Sequence, residues 1–252
     1  MRIVIARDYE HLSCLGAGLV GEAIVRKPDL VLGLATGVTP LGVYRKLGEM
    51  YEAGQVDFSR LTVFNLDEYY GLSPADPRSY RSYLERNLFS RVNLRPENIH
   101  LVPGQPGNVA DACRNYDLAI AAAGGIDLQI LGIGQNGHVG FNEPGKSLCV
   151  ATHLVDLAPQ TVEANARSFP DHGAVPGRAV TVGMGAIMKA RRILLLAGGR
   201  EKAAAVAGAL WGPVTTAVPA SLLQLHRHTT LIVDQAAAGL IRDCTSAAGG
   251  SG

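Results

Sequence analysis

Short apolar runs alternate along the chain with stretches whose apolar residues recur every three to four positions. Residues 3–5 read as a strand, and Leu12, Leu15, Leu19, Ala23 and Ile24 then fall at the spacing of one helix face. The alternation continues with a strand at 30–34, a helix through Leu41, Tyr44 and Leu47, a strand at 61–64 and a helix at 80–89. Residues 116–123 read as helix and 127–133 as a buried strand. Further strands are expected at 179–185, 193–197 and 231–233, with a helix at 202–210 between the last two. Strands alternating with helices join into right-handed β-α-β units, so the pattern predicts an α/β fold: a mainly parallel sheet with helices on both faces. No repeat or linker interrupts it. Residues 1–246 therefore read as one domain, and the Gly/Ser-rich residues 247–252 as a flexible tail.

Composition narrows the function classes. With 47% hydrophobic residues the chain is not disordered. Its 23 Lys and Arg against 22 Asp and Glu leave a net charge of +1, so no basic field is available for nucleic acid. Cys14, Cys113, Cys149 and Cys244 are scattered without metal-like spacing and are expected as reduced thiols, which points to the cytoplasm. The chain lacks an apolar run approaching ~18 residues and a leader-like N-terminus, so neither a membrane partner nor export is expected. Glycine is over-represented, 30 of 252 or about 12% against roughly 7% ordinarily.

Much of that glycine falls where strands end, which is where open α/β sheets bind ligands. After the second strand comes Ala35-Thr36-Gly37-Val38-Thr39-Pro40. Gly37 permits a tight turn, Thr39 can cap the next helix and Pro40 suits its first turn. The free amides of such a helix start, with threonine hydroxyls, suit a phosphate; an ordinary capped turn is the alternative. After the third strand stand Asp67 and Glu68. A carboxylate at an apolar strand end has its charged form disfavoured and its pKa raised toward that of a useful base, and only one of the two need point inward.

The stretch from Gly132 to Gly145, GIGQNGHVGFNEPG, contains a G-x-G-x-x-G pattern, but Gly140, Pro144 and Gly145 keep it irregular where a dinucleotide site requires a helix. It reads instead as an active-site wall, with His138 as proton carrier and Asn136 and Glu143 as orienting partners. The turn Gly198-Gly199-Arg200-Glu201-Lys202 brings cations to another strand end, and Arg167 can add one from a polar stretch. His226 and His228 have no third partner for a metal.

Taken together, ATGVTP, FNLDEYYGL, GQNGHVGFNEPG, AGGREKA and SLLQLH resemble, in order and spacing, the glucosamine-6-phosphate deaminase family over almost the whole chain. The resemblance implies a Rossmann-like fold and conversion of glucosamine 6-phosphate and water to fructose 6-phosphate and ammonia, with no cofactor and no metal. Asp67 would be the base acting between C2 and C1. His138 would open the sugar ring, aided by Glu143 and Asn136. Thr36, Gly37, Thr39, Arg167 and Lys202 would bind the substrate phosphate. ATGxTP is shared more loosely with 6-phosphogluconolactonases, so a lactone hydrolase and a non-catalytic sugar-phosphate-binding module are the alternatives. Family members differ in oligomeric state, which leaves room for a homo-oligomer.

Two positions depart from the family pattern. Some members carry Asp where this chain has Asn136, which is expected still to hydrogen-bond the imidazole. The stretch 146–156 holds one lysine where activated members carry several basic residues, so activation by N-acetylglucosamine 6-phosphate is expected to be absent. Sigmoidal kinetics relieved by that compound would overturn this expectation.

Overall fold

The computed structural model describes residues 1–166 and 175–241. Arg167, Cys244 and the expected 247–252 tail lie outside the described residues. The strands are β1 (Arg2–Ala6), β2 (Val31–Leu34), β3 (Thr62–Asn65), β4 (Asp67–Tyr69), β5 (Ile99–His100), β6 (Leu128–Gly132), β7 (His153–Asp156), β8 (Arg178–Thr181), β9 (Arg192–Ala197) and β10 (Thr229–Asp234). The helices are α1 (Tyr9–Arg26), α2 (Leu41–Glu52), α3 (Tyr80–Asn87), α4 (Val109–Ala122), α5 (Pro159–Ala166), α6 (Met184–Lys189) and α7 (Ala203–Trp211). Three helices start where a polar side chain accepts an otherwise unpaired amide: Asp8 from His11 N–H, Ser79 from Ser82 N–H, and Asn108 from Ala110 and Asp111 N–H.

Seven strands form a wholly parallel sheet in the order β1-β10-β9-β6-β2-β3-β5. Such strands are covered on both faces and therefore read as continuous apolar runs. Leu128, Ile130, Leu131 and Leu194–Leu196 are all buried, each full side chain contributing about 2 kcal/mol of transfer free energy. From β2 the chain winds outward through β3 to β5, then returns to lay β6 on the other side of β2. The strand order thus reverses between β2 and β6. At that reversal the connections leave in opposite directions and open a crevice beyond the carboxyl ends of the strands.

The expected alternation is present, with four corrections. Residues 67–69 form β4, where sequence suggested only a loop. The strand expected at 179–185 ends at Thr181, and its remainder enters α6 after an extended Gly183. Rather than extending the main sheet, β8 lies antiparallel between β4 and β7 in a second, three-stranded sheet. A small apolar cluster of Tyr69, Leu72, Phe141, Leu157 and Ala179 supports that sheet. The helix expected at 116–123 begins earlier, at its Asn108 cap.

Candidate functional site

The loops after β2 and β6 open into the crevice, joined by β4 directly beyond β3. Asn65, the last residue of β3, sets the course of the chain there. Its amide donates to Asp67 O at 2.7 Å and accepts from Val102 N–H at 2.8 Å, while the Tyr116 hydroxyl donates to Asn65 O at 2.8 Å. These bonds turn the chain so that two adjacent carboxylates part company.

Glu68 is saturated. It accepts the amides of Tyr69, Tyr80 and Arg81, each at 2.9 Å, and so anchors the start of α3. Asp67 is 5% exposed, and its Oδ1 has no hydrogen-bond partner among the described residues. Burial, followed by the neighbouring charge of Glu68, pushes its pKa up to about 8, opposed only by the Thr36 hydroxyl. Sequence allowed for only one of the two acids pointing inward; both are buried, and what separates them is that Glu68 is held by three amides while Asp67 keeps an oxygen without a partner.

Loop 134–145 closes over this carboxylate. Phe141 N–H donates to Thr181 Oγ1 at 3.0 Å, and Thr181 pairs in register with Asp67 across β4 and β8. Gly140 adopts φ +59°, and a Cβ there would stand 3.0 Å from Thr181 Oγ1 and 3.5 Å from Asp67 Oδ2, so glycine suits the backbone's close approach to Asp67. The His138 imidazole lies against Gly134, where a Cβ would meet Nδ1 at 2.4 Å. His138 Nδ1 is 3.4 Å from Glu143 Oε2, an ion-pair distance whenever the ring is protonated. Burial raises the Glu143 pKa, but the His138 ring, the Thr161 hydroxyl and the Asn136 amide together outweigh it and the carboxyl sits below its ordinary range.

Asn136 corrects an expectation. It does not bond the ring; its Oδ1 accepts His138 N–H at 3.1 Å and its Nδ2 donates to Glu143 Oε2 at 2.8 Å, tying the acid to the histidine backbone. Tyr69, Tyr80 and Phe141 wall the crevice, with Tyr80 stacked on Phe141 at a centroid distance of 6.0 Å. Tyr69 and Phe141 lie within the quoted motifs but carry no role there, and neither Tyr80 nor Thr181 is singled out, because their spacing along the chain is unrelated to their proximity.

In the loop after β2, Gly37 adopts φ +96° as its turn requires. Thr39 does not cap α2: the cap position is Pro40, with no side-chain bond, and the Thr36 hydroxyl faces Asp67 and Tyr80. Gly199 N–H donates to Asp234 Oδ2 at 2.9 Å and orders the turn that carries Lys202. That lysine is half-buried, and desolvation lowers its pKa, so an anion beside it would restore the charged form. His226 serves structure, with Nε2 2.7 Å from Ala190 O and Nδ1 3.1 Å from Thr229 Oγ1. Two concavities elsewhere contain none of the site residues: about 300 Å³ by Arg2, Arg192 and Arg227, and about 520 Å³ between α4 and β7. Among the described residues no helix is long and apolar enough to cross a membrane.

Known proteins resemble this chain in sequence and fold. The family model described as glucosamine-6-phosphate isomerases/6-phosphogluconolactonase matches residues 15–232. A glucosamine-6-phosphate deaminase of Halothermothrix orenii is 52% identical over 96% of this chain and all of its own length; one from Clostridium perfringens is 48% identical over 96% and 100%. The solved structure of a monomeric glucosamine-6-phosphate deaminase, described as a missing link of the NagB superfamily, superposes with a TM-score of 0.92 at 42% identity, covering 95% of this chain and all of that one. The 6-phosphogluconolactonase of Thermotoga maritima shares the fold, with a TM-score of 0.71 at 24% identity over 93% of this chain and 99% of its own. By sequence over nearly its full length and by fold, this chain belongs to the family of glucosamine-6-phosphate isomerases and 6-phosphogluconolactonases.

Proposed function

We propose that the protein is a glucosamine-6-phosphate deaminase, taking glucosamine 6-phosphate and water to fructose 6-phosphate and ammonia in amino-sugar breakdown. The observation that carries the reading is Asp67, buried with an unpartnered oxygen and raised to about 8, beneath the loop that holds His138, Asn136 and Glu143 together. The deaminases at about 50% identity over the full chain support it.

In this reading His138, held by Glu143 and Asn136, relays a proton from the anomeric hydroxyl to the ring oxygen as the C1–O5 bond breaks. Asp67 removes the C2 proton of the open aldehyde; that electron pair forms a C1–C2 double bond while the carbonyl π pair moves onto O1, which takes up a proton, giving an enolamine. Reprotonation at C1 leaves an iminium at C2. Water adds there, and ammonia departs with the electrons of the C–N bond, leaving the ketone. Thr36, Gly37, Thr39, Arg167 and Lys202 are the residues proposed to hold the phosphate, so that binding energy from the far end of the substrate orients C1 and C2. Incubation with glucosamine 6-phosphate should release ammonia and fructose 6-phosphate in equal amounts. Hydrolysis of 6-phosphogluconolactone without ammonia release would replace this reading with the lactonase one.

A further inference from the structure

The loop between β2 and α2 presents an unusual pattern of paired carbonyls and unpaired amides. Four of its carbonyl groups are held by tyrosine hydroxyls that come from three different helices. From α2, Tyr44 donates to Ala35 O at 2.6 Å; from α3, Tyr83 donates to Gly37 O at 2.6 Å. From α1, the Tyr9 hydroxyl lies 2.9 Å from Val38 O and 3.2 Å from Thr39 O, and accepts Gly42 N–H at 2.8 Å. The N–H groups of Thr36, Gly37, Val38 and Thr39 find no acceptor among the described residues. A peptide plane whose carbonyl is pinned on one side turns its neighbouring N–H to the other. The Tyr9 ring also lies beside the turn that leads to Lys202, since a Cβ built on Gly198 would stand 3.8 Å from its Cδ2.

We infer that Tyr9, Tyr83 and Tyr44 form a hydroxyl clamp that draws the carbonyls of Ala35, Gly37, Val38 and Thr39 outward and thereby presents the amides of Thr36, Val38 and Thr39 to the substrate phosphate, with Tyr9 additionally setting the distance to the turn that bears Lys202. The inference rests on the deaminase reading for the identity of the substrate, but not for the anion itself. The three tyrosines are positioning residues. They touch the loop rather than the sugar, and the helices behind them keep the amides preorganised before an anion arrives. Burial pushes the Tyr44 and Tyr83 hydroxyls well above their ordinary pKa, so both remain donors throughout the neutral and mildly alkaline range. Tyr9 makes the most contacts of the three while its ring is partly exposed, so its hydroxyl can be removed without opening the core.

Tyr9→Phe and the Tyr9→Phe/Tyr83→Phe double variant test the clamp, with two readouts. In deamination assays KM for glucosamine 6-phosphate should rise about tenfold in the single variant and further in the double, while kcat falls by less than the rise in KM. Calorimetric titration with inorganic phosphate should weaken in parallel. A merely structural role would lower the melting temperature and active fraction without shifting KM or phosphate affinity. Unchanged phosphate affinity in a folded double variant, or a loss confined to kcat, would overturn the clamp. Absence of ammonia release by the wild-type protein would overturn the deaminase reading alone, because the phosphate titration still judges the clamp.

Discussion

Two buried aspartates lie at opposite ends of the main sheet and have opposite fates. Asp67 stands beyond the carboxyl end of β3, 5% exposed, with one oxygen unpaired and its pKa pushed up to about 8 by burial and Glu68. Asp127 stands before the amino end of β6, 4% exposed, and accepts Lys27 Nζ at 2.8 Å, Val31 N–H at 2.8 Å and Arg191 Nη1 at 2.5 Å. Burial raises its pKa too, but Lys27, the Val31 amide and Arg191 together outweigh that and hold the carboxyl below its ordinary range. Similar surface exposure hides two differences, in depth and in partners: Asp127 lies close to the surface beside two cations and stays a structural anion, whereas Asp67 lies deeper with one oxygen unpaired and its charged form disfavoured. A buried acid left unsatisfied destabilises its own charged form, which raises its pKa toward that of the general base proposed for Asp67.

The comparison breaks most sharply at Asp67 itself. Asp67→Asn should lower the rate of ammonia release and of C2-proton exchange with solvent by about 10³-fold, the scale of a lost general base, while inorganic phosphate still binds. Loss of exchange and phosphate binding together would make Asp67 a scaffold residue. At the other end, Asp127→Ala should remove about 3 kcal/mol of stability in denaturant titrations, because Lys27 and the Val31 amide lose their partner, while kcat of the folded fraction stays within twofold. A catalytic loss equal to that of Asp67→Asn would erase the distinction between the two ends.

The two acids also predict opposite pH slopes. Asp67 has a folded-state pKa above its unfolded value, so its stability contribution is complete below about pH 4 and is lost as pH rises through about 8. Asp127 is depressed, so its contribution is present above the unfolded value of about 3.9 and is lost as pH falls through the lower folded one. Comparing melting temperatures across pH 3–9, Asp67→Asn should gain on the wild type as pH rises from 4 to 8. Over the same alkaline approach, wild-type kcat/KM should climb about tenfold per pH unit below 8 and then level. A flat profile through pH 8 would show that Asp67 does not ionise as the base. The smallest effect is expected at Glu68→Gln, where an amide oxygen can keep part of the α3 anchor. A loss of about 1 kcal/mol in stability, with deamination retained, would separate the saturated carboxylate from its reactive neighbour.

Adjacency in sequence was therefore a poor guide to role. Asp67 and Glu68 were legible as a pair because an apolar strand ran straight into them, but their division of labour depends on the three amides of residues 69, 80 and 81 that capture Glu68. Thr39 illustrates the reverse: it fitted a helix cap by spacing, yet the helix starts one residue later than that role requires. The tyrosine clamp left no trace in any local pattern, since Tyr9, Tyr44 and Tyr83 meet one loop from three helices.

The sequence by itself determined the alternation of strands and helices, the parallel character of the main sheet and the strand-end loops where the chemistry gathers. Those features follow from short-range rules of hydrophobic period, turn chemistry and chirality. Tertiary structure alone decided the second sheet that seats Thr181 beside Asp67, the choice of Glu143 rather than Asn136 to face the His138 ring, and the contrasting states of Asp67 and Asp127. Each of these depends on which distant groups arrive within hydrogen-bond reach of a buried charge, and that is set by packing across the strand-order reversal rather than by spacing along the chain.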